Sequence, residues 1–216
     1  MTTEAKICGI TTREALDAAL AGGADYVGLV FFSRSPRHLE IATALELATH
    51  ARGKAKIVAL VVEPDDPTLR EIIDAVSPDY LQLHGLEVPE RVAAIKETFG
   101  LPVIKAIAVG TPGDAESAHD FAGVADMILF DAKPPLGARL PGGNGIAFDW
   151  HALEAVSRER PFMLSGGLTP ETVAEAIRVT GAKAVDVSSG VERAPGLKDP
   201  ELIRRFLHAV KTTRKA

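Results

Sequence analysis

Cys8, in the segment AKICGI, is the only cysteine in the chain. A thiol can act as a proton acceptor or nucleophile once it is ionised. A lone cysteine can equally be small apolar filling in a buried strand. Asp131 ends the apolar run MILFD, where a carboxyl must reach solvent or a pocket. Beside the glycine- and proline-rich stretch that follows, it is a candidate general acid; alone, it would read as a cap on the next loop. Gly166 and Gly167 in LSGGL, and Ser189 and Gly190 in VDVSSGVE, put small residues where apolar runs give way to loops. Such loops offer backbone N–H groups to an anion such as phosphate, and glycine lets that anion come close. Arg37, in FFSRSPR, is suited to clamping a carboxylate in bidentate fashion, with Arg34 as its competitor. Gln82 and His84 in LQLHG and Asp186 in VDV complete the polar residues at the ends of apolar runs. His84 has no second histidine or acidic residue nearby at ligand spacing, which favours a structural role over metal ligation.

These residues need a frame that gathers them. Apolar runs at 5–10, 26–31, 56–62, 80–85, 103–109, 127–131, 162–167 and 184–190 are rich in Val, Ile, Leu or Phe and bounded by Gly, Pro or polar residues. They read as buried parallel strands. Amphipathic segments at 11–23, 39–53, 65–77, 87–100, 111–123, 149–159, 169–181 and 199–211 alternate with them and carry Thr, Asp or Pro near their starts. Eight strand–helix units at 27 residues each fill the 216-residue chain. The fold expected is therefore α/β, a single-domain (β/α)8 TIM barrel over residues 1–216. A doubly wound open sheet is the alternative, but KICGITTREA lacks the G-x-G-x-x-G of such sheets. In a barrel, active residues collect at the carboxyl ends of the strands. The sixth, seventh, eighth, first and second strands are then neighbours and carry Asp131, the two glycine loops, Cys8 and Arg37 on one arc. Residues 132–148 form a long stretch without a regular pattern, as expected of a functional lid or a disordered segment. Helix N-termini around the mouth are expected to favour the Cys8 thiolate.

A net charge of −5 argues against nucleic-acid binding, so an anionic ligand must be held by local fields. One cysteine excludes an intrachain disulfide and a multi-cysteine metal site. The start MTTEAKICGI lacks a secretory pattern and no apolar run approaches a membrane span, so a cytoplasmic setting is expected.

Read in order, KICGIT, FFSRSPR, LQLHG, LFDAK with GGNGIAFDW, LSGGL and VDVSSGVE with PGLKD closely resemble the phosphoribosylanthranilate isomerase family of tryptophan biosynthesis. The resemblance spans the chain. It implies an Amadori rearrangement of N-(5-phosphoribosyl)anthranilate to 1-(2-carboxyphenylamino)-1-deoxyribulose 5-phosphate, with no metal and no cofactor. It further implies Cys8 as general base and Asp131 as general acid. Arg37 would hold the anthranilate carboxylate, and Gly166, Gly167, Ser189 and Gly190 the phosphate. Asp186 would be a further substrate contact. The partner expected is a small phosphorylated substrate, with no nucleic acid or membrane, and the chain is expected to act as a monomer or homodimer. Pentose-phosphate epimerases and indole-3-glycerol-phosphate synthase are the nearest rivals. The first would need several metal ligands. The second relies on a lysine and glutamates, and here Lys6 and Lys105 lie on strands without matching strand glutamates. A non-catalytic phosphometabolite-binding barrel could keep the glycine loops but would have no use for Cys8 and Asp131 together.

Overall fold

The computed structural model describes residues 3–138, 140–145, 147–156 and 161–213. Eight parallel strands close into a barrel: β1 (Glu4–Cys8), β2 (Tyr26–Phe31), β3 (Lys56–Val61), β4 (Tyr80–Leu83), β5 (Val103–Val109), β6 (Met127–Ala132), β7 (Phe162–Leu164) and β8 (Ala184–Val187). β1 pairs with both β2 and β8, which completes the ring. The α/β (β/α)8 architecture is thus the one expected. Among the described residues no helix is long and apolar enough to cross a membrane.

The helices outside the ring are α1 (Arg13–Ala21), α2 (Ile41–Ala51), α3 (Asp66–Val76), α4 (Pro89–Phe99), α5 (Pro112–Glu116), α6 (Val173–Thr180) and α7 (Pro200–Thr212). Their starts follow the sequence cues. Thr12, Asp65 and Asp199 accept hydrogen bonds from the first turns of α1, α3 and α7, and Thr111 with Asp114 forms a capping box on α5. Gly100 and Gly181 end α4 and α6 in the left-handed region.

Three segments depart from expectation. The helix expected at 111–123 is split into α5 and a 3-10 turn over Ser117–Phe121. In place of a helix at 149–159 there is a 3-10 turn, Trp150–Leu153, capped by Asp149; residues 157–160 of that segment lie outside the described residues. The helix expected from 169 begins only at Val173, because Thr169 and Thr172 bond one another and nearby backbone N–H groups in a local turn. An unforeseen two-stranded antiparallel ribbon, β9 (Glu192–Ala194) with β10 (Leu197–Lys198), sits between β8 and α7. It turns at Pro195-Gly196, where Gly196 has φ +81°.

Side chains alternate along each strand, so every second residue faces the barrel axis. Tyr26, Val58, Ile104, Ala106, Leu129, Met163 and Ala184 form one apolar layer there. Above it the interior turns polar. On β1, Lys6 and Cys8 share one parity; on β8, Asp186 pairs in register with Lys6, and on β2, Gly28 pairs with Cys8. A separate shell, including Ile7, Leu16, Leu69, Ile95, Phe206 and Leu207, fills the space between strands and helices. The buried apolar layers thus support a set of inward polar residues near the carboxyl ends of the strands.

Candidate active site

A pocket at that end is lined by Cys8, Arg37, Asp131, Gly166, Gly167, Asp186, Ser189 and Gly190, so the structure brings together all eight residues named from the sequence. His84 also lines it; Arg34 does not, and is exposed where Arg37 is 5% exposed.

On the acid side, Asp131 is the penultimate residue of β6. Its Oδ1 accepts the Ala132 backbone N–H at 2.9 Å. Its Oδ2 lies 3.2 Å from His84 Nε2, and His84 Nδ1 lies 3.0 Å from the buried Gln82 amide. The acidic partner that the local sequence around His84 does not offer is therefore Asp131, from 47 residues later in the chain. Gly142, from the long stretch after β6, roofs this pair. A Cβ at that position would come within 2.5 Å of both Asp131 Oδ2 and His84 Nε2.

Across the mouth, Cys8 is 4% exposed and sits with Val30 and Leu60, flanked by Phe32 and Val62. These side chains make an apolar wall from β1 to β3. The wall was readable from the alternation in YVGLVFF and KIVALVV, where Val30 and Phe32, and Leu60 and Val62, share a parity, but it needs the barrel to become a surface. Burial pushes the Cys8 thiol up from its ordinary value, against the opposing pull of the Lys6 ammonium. This corrects the expectation that the thiol is lowered: in a site this enclosed desolvation outweighs the nearby Lys6 and Lys198 cations. Lys6, fully buried, donates to Asp186 Oδ1 at 2.8 Å, and Ser165 Oγ donates to Asp186 Oδ2 at 3.1 Å.

Arg37 is held in a bidentate pair with Glu192 on β9, Nε to Oε1 at 2.7 Å and Nη2 to Oε2 at 2.8 Å. Nη2 also donates to the Gly143 carbonyl at 3.3 Å. Lys198 on β10 completes the cluster, donating to Glu192 at 2.6 Å and to the Ser188 carbonyl at 3.0 Å. Although burial works against it, this pair of cations holds the Glu192 carboxyl below its usual value. Gly9, at φ +73°, makes room for the arginine; a Cβ there would meet Arg37 Cδ at 2.5 Å. Sequence reasoning found Arg37 but not Glu192, Ser165 or the role of Lys6, whose partners lie 155, 21 and 180 residues away, nor Lys198, which meets Glu192 only through the unforeseen β9–β10 ribbon. Lys105 does have a carboxylate partner, Glu87, at 2.7 Å, but in the loop after β4 and away from the pocket lining.

The glycine loops after β7 and β8 pack directly on each other. Gly166 and Gly167 have φ +87° and +62°, a conformation that favours glycine. Gly190 lies against the Leu168 carbonyl so closely that a Cβ would overlap it. Ser189 and Gly190 open a 3-10 turn, Ser189–Val191. Among the described residues, the N–H groups of Gly166, Gly167, Ser189 and Gly190 have no backbone acceptor, leaving four donors at one edge of the pocket.

A closed parallel barrel with its polar pocket at the carboxyl ends of the strands defines the class: this is a (β/α)8-barrel enzyme. Comparison with known proteins narrows it. Residues 5–209 match the family model described as N-(5'phosphoribosyl)anthranilate (PRA) isomerase. The chain is 56% identical over 215 residues to N-(5'-phosphoribosyl)anthranilate isomerase of Rhodopseudomonas palustris (strain BisA53), covering 100% of this chain and 99% of that one. It is 53% identical to the same-named protein of Rhizobium meliloti (strain 1021), covering 98% of each. Among solved structures, phosphoribosyl anthranilate isomerase from Thermotoga maritima superimposes with a TM-score of 0.87 at 35% identity, covering 97% of this chain and 98% of that one. A phosphoribosyl anthranilate isomerase in complex with reduced 1-(o-carboxyphenylamino)-1-deoxyribulose 5-phosphate does so with a TM-score of 0.84 at 34% identity and the same coverage. The chain belongs to the N-(5'-phosphoribosyl)anthranilate isomerase family.

Proposed function

We propose that this chain, acting as one barrel domain over residues 1–216, converts N-(5-phosphoribosyl)anthranilate to 1-(2-carboxyphenylamino)-1-deoxyribulose 5-phosphate in L-tryptophan biosynthesis. The observation that carries this reading is that Cys8 and Asp131 line one pocket with Arg37 and the two glycine loops. The substrate phosphate binds the N–H groups of Gly166, Gly167, Ser189 and Gly190. The anthranilate ring lies on the wall of Val30, Phe32, Leu60 and Val62, which directs its carboxylate to Arg37. That orientation leaves the ribose between Asp131 and Cys8.

In the first step Asp131 gives its proton to the furanose ring oxygen as the C1′–O bond breaks, and the anilinic nitrogen supplies the electron pair that forms the iminium. The C2′ proton is now acidic, because its bonding electrons can move into that cation. Cys8 as thiolate takes this proton, and the resulting enolamine tautomerises to the aminoketone. Asp186, held by Lys6 and Ser165, contacts the substrate from the floor of the pocket.

General acid and base groups each contribute about 10²–10⁴ in rate. With purified protein and EDTA present, loss of the fluorescence of phosphoribosylanthranilate measures turnover. Cys8→Ala and Asp131→Ala are each expected to lower kcat by about a hundredfold or more, with unchanged circular dichroism. Near-normal turnover by Cys8→Ala would remove it as the base, and no consumption by the unaltered protein would remove the activity.

A further inference from the structure

Two residues before the thiol, β1 carries a lysine that faces the barrel interior and is fully buried. Residues i and i+2 of a strand point to the same side, so the Lys6 and Cys8 side chains rise along one wall. The neighbouring strand supplies the space that lets them meet. Gly28, in register with Cys8, has no side chain; a Cβ there would lie 2.9 Å from Cys8 Sγ and 3.1 Å from Lys6 Nζ. The ammonium and the sulfur therefore occupy adjoining volume above Gly28. On the opposite neighbour, Asp186 anchors Lys6 Nζ at 2.8 Å, and Ser165 braces the second carboxylate oxygen.

A buried ammonium next to a thiol is costly unless something negative faces it. Around Cys8 stand Lys6 from β1, Asp186 from β8, Lys198 from β10, Glu192 from β9 and Arg37 from the loop after β2, with Asp131 and His84 further round the same pocket. Lys6, Arg37 and Lys198 are three cations against the two carboxylates Asp186 and Glu192.

We propose that Lys6 is a positioning residue for the reaction: its ammonium, oriented by Asp186 and admitted by Gly28, is the counter-charge that makes a Cys8 thiolate available in a buried site. Burial alone would hold the sulfur as an inert thiol; the lysine's charge offsets that penalty, while Asp186 limits the effect. When Cys8 takes up the C2′ proton, the lysine keeps its own proton and the Asp186 pair stays intact, so the sulfur alone changes charge.

This rests on Cys8 being the base, and its test does not need turnover. Cys8 is the only thiol, so its ionisation is read by ultraviolet absorbance during a pH titration of the full chain, with Cys8→Ser subtracted. Lys6→Met is expected to move the midpoint to higher pH and Asp186→Asn to move it to lower pH. In Lys6→Met, the kcat/KM–pH profile should shift alkaline in parallel, losing about tenfold at neutral pH for each unit of displacement. A generic packing defect would move both variants the same way or neither. Should Lys6→Met fail to fold, Asp186→Asn alone decides: an unmoved or higher midpoint overturns the proposal. An unmoved midpoint in folded Lys6→Met does so too. Either result leaves the isomerase reading standing, whereas an inactive unaltered protein would remove that reading and not the charge coupling.

Discussion

Arg37 illustrates how a functional side chain can be fixed without being used up. Glu192 takes Nε and one edge of Nη2, and Gly143 takes another, while the guanidinium still lines the pocket. Removing Arg37 does not strand the Glu192 carboxylate, because Lys198 still bonds it at 2.6 Å. Arg37→Ala is therefore expected to fold. It loses hydrogen bonds to a charged group, each worth about 1.5–3 kcal/mol, so KM should rise by roughly tenfold or more while kcat changes less. Arg37→Lys should fail to restore KM, since an ammonium cannot satisfy Glu192 and a carboxylate in the same planar fork. Steady-state kinetics of both variants decides this; an unchanged KM for Arg37→Ala would move the clamp elsewhere.

Among the elements, the two loops after β7 and β8 form the most constrained junction. Gly190 abuts the Leu168 carbonyl, and both sides of that contact are backbone, so neither can swing away. Gly190→Ala should push the loops apart, misalign the four N–H donors and raise KM by about tenfold or more, the loss of at least one charge-assisted hydrogen bond. Gly113→Ala is the control: it sits in α5, with nothing near its Cβ position, and should leave kinetics unchanged and stability equal or slightly higher. Equal KM for Gly190→Ala and the parent would sink the cradle. These loops were legible in the sequence only as a pair: glycine is common in turns, but small-residue loops after both of the last two strands are a narrower signal. The strands were legible for a similar reason, since parallel strands buried on both faces leave apolar runs. What lay hidden was irregular. The β9–β10 ribbon is too short to leave a periodic pattern, and the turn at Trp150–Leu153 carries helix-compatible residues that the long preceding loop does not present as a helix.

Seen whole, the molecule carries a net negative charge and buries a set of ion pairs beside its pocket. The net charge of −5 gave no hint of this, because the pairs that build it join residues 180 apart, Lys6 with Asp186, and 155 apart, Arg37 with Glu192. Such pairs become visible only when the first and eighth strands meet. They make stability depend on pH in a direction that can be worked out. Burial pushes the Cys8 thiol up, and it does the same for the Tyr26 hydroxyl, which donates to Glu4 at 2.8 Å. Lys6 is also raised: burial opposes its charge, but Asp186 and Cys8 outweigh that. Each of these groups holds its proton more tightly folded than unfolded. Their contribution is fully present below the unfolded values, about 8.5 for Cys, 10 for Tyr and 10.4 for Lys, and is lost as pH climbs through the folded ones. Lys198 runs the other way, pushed down by burial and by Arg37, so its share grows with pH. With three groups against one, thermal melts followed by circular dichroism should show Tm falling progressively above about pH 8.5. Tyr26→Phe and Cys8→Ala should each flatten part of that fall, the first at the higher pH end. A Tm that stayed level from neutral to strongly alkaline solution would mean that the buried protons are not coupled to folding, and the charge arrangement at the heart of the barrel would have to be redrawn.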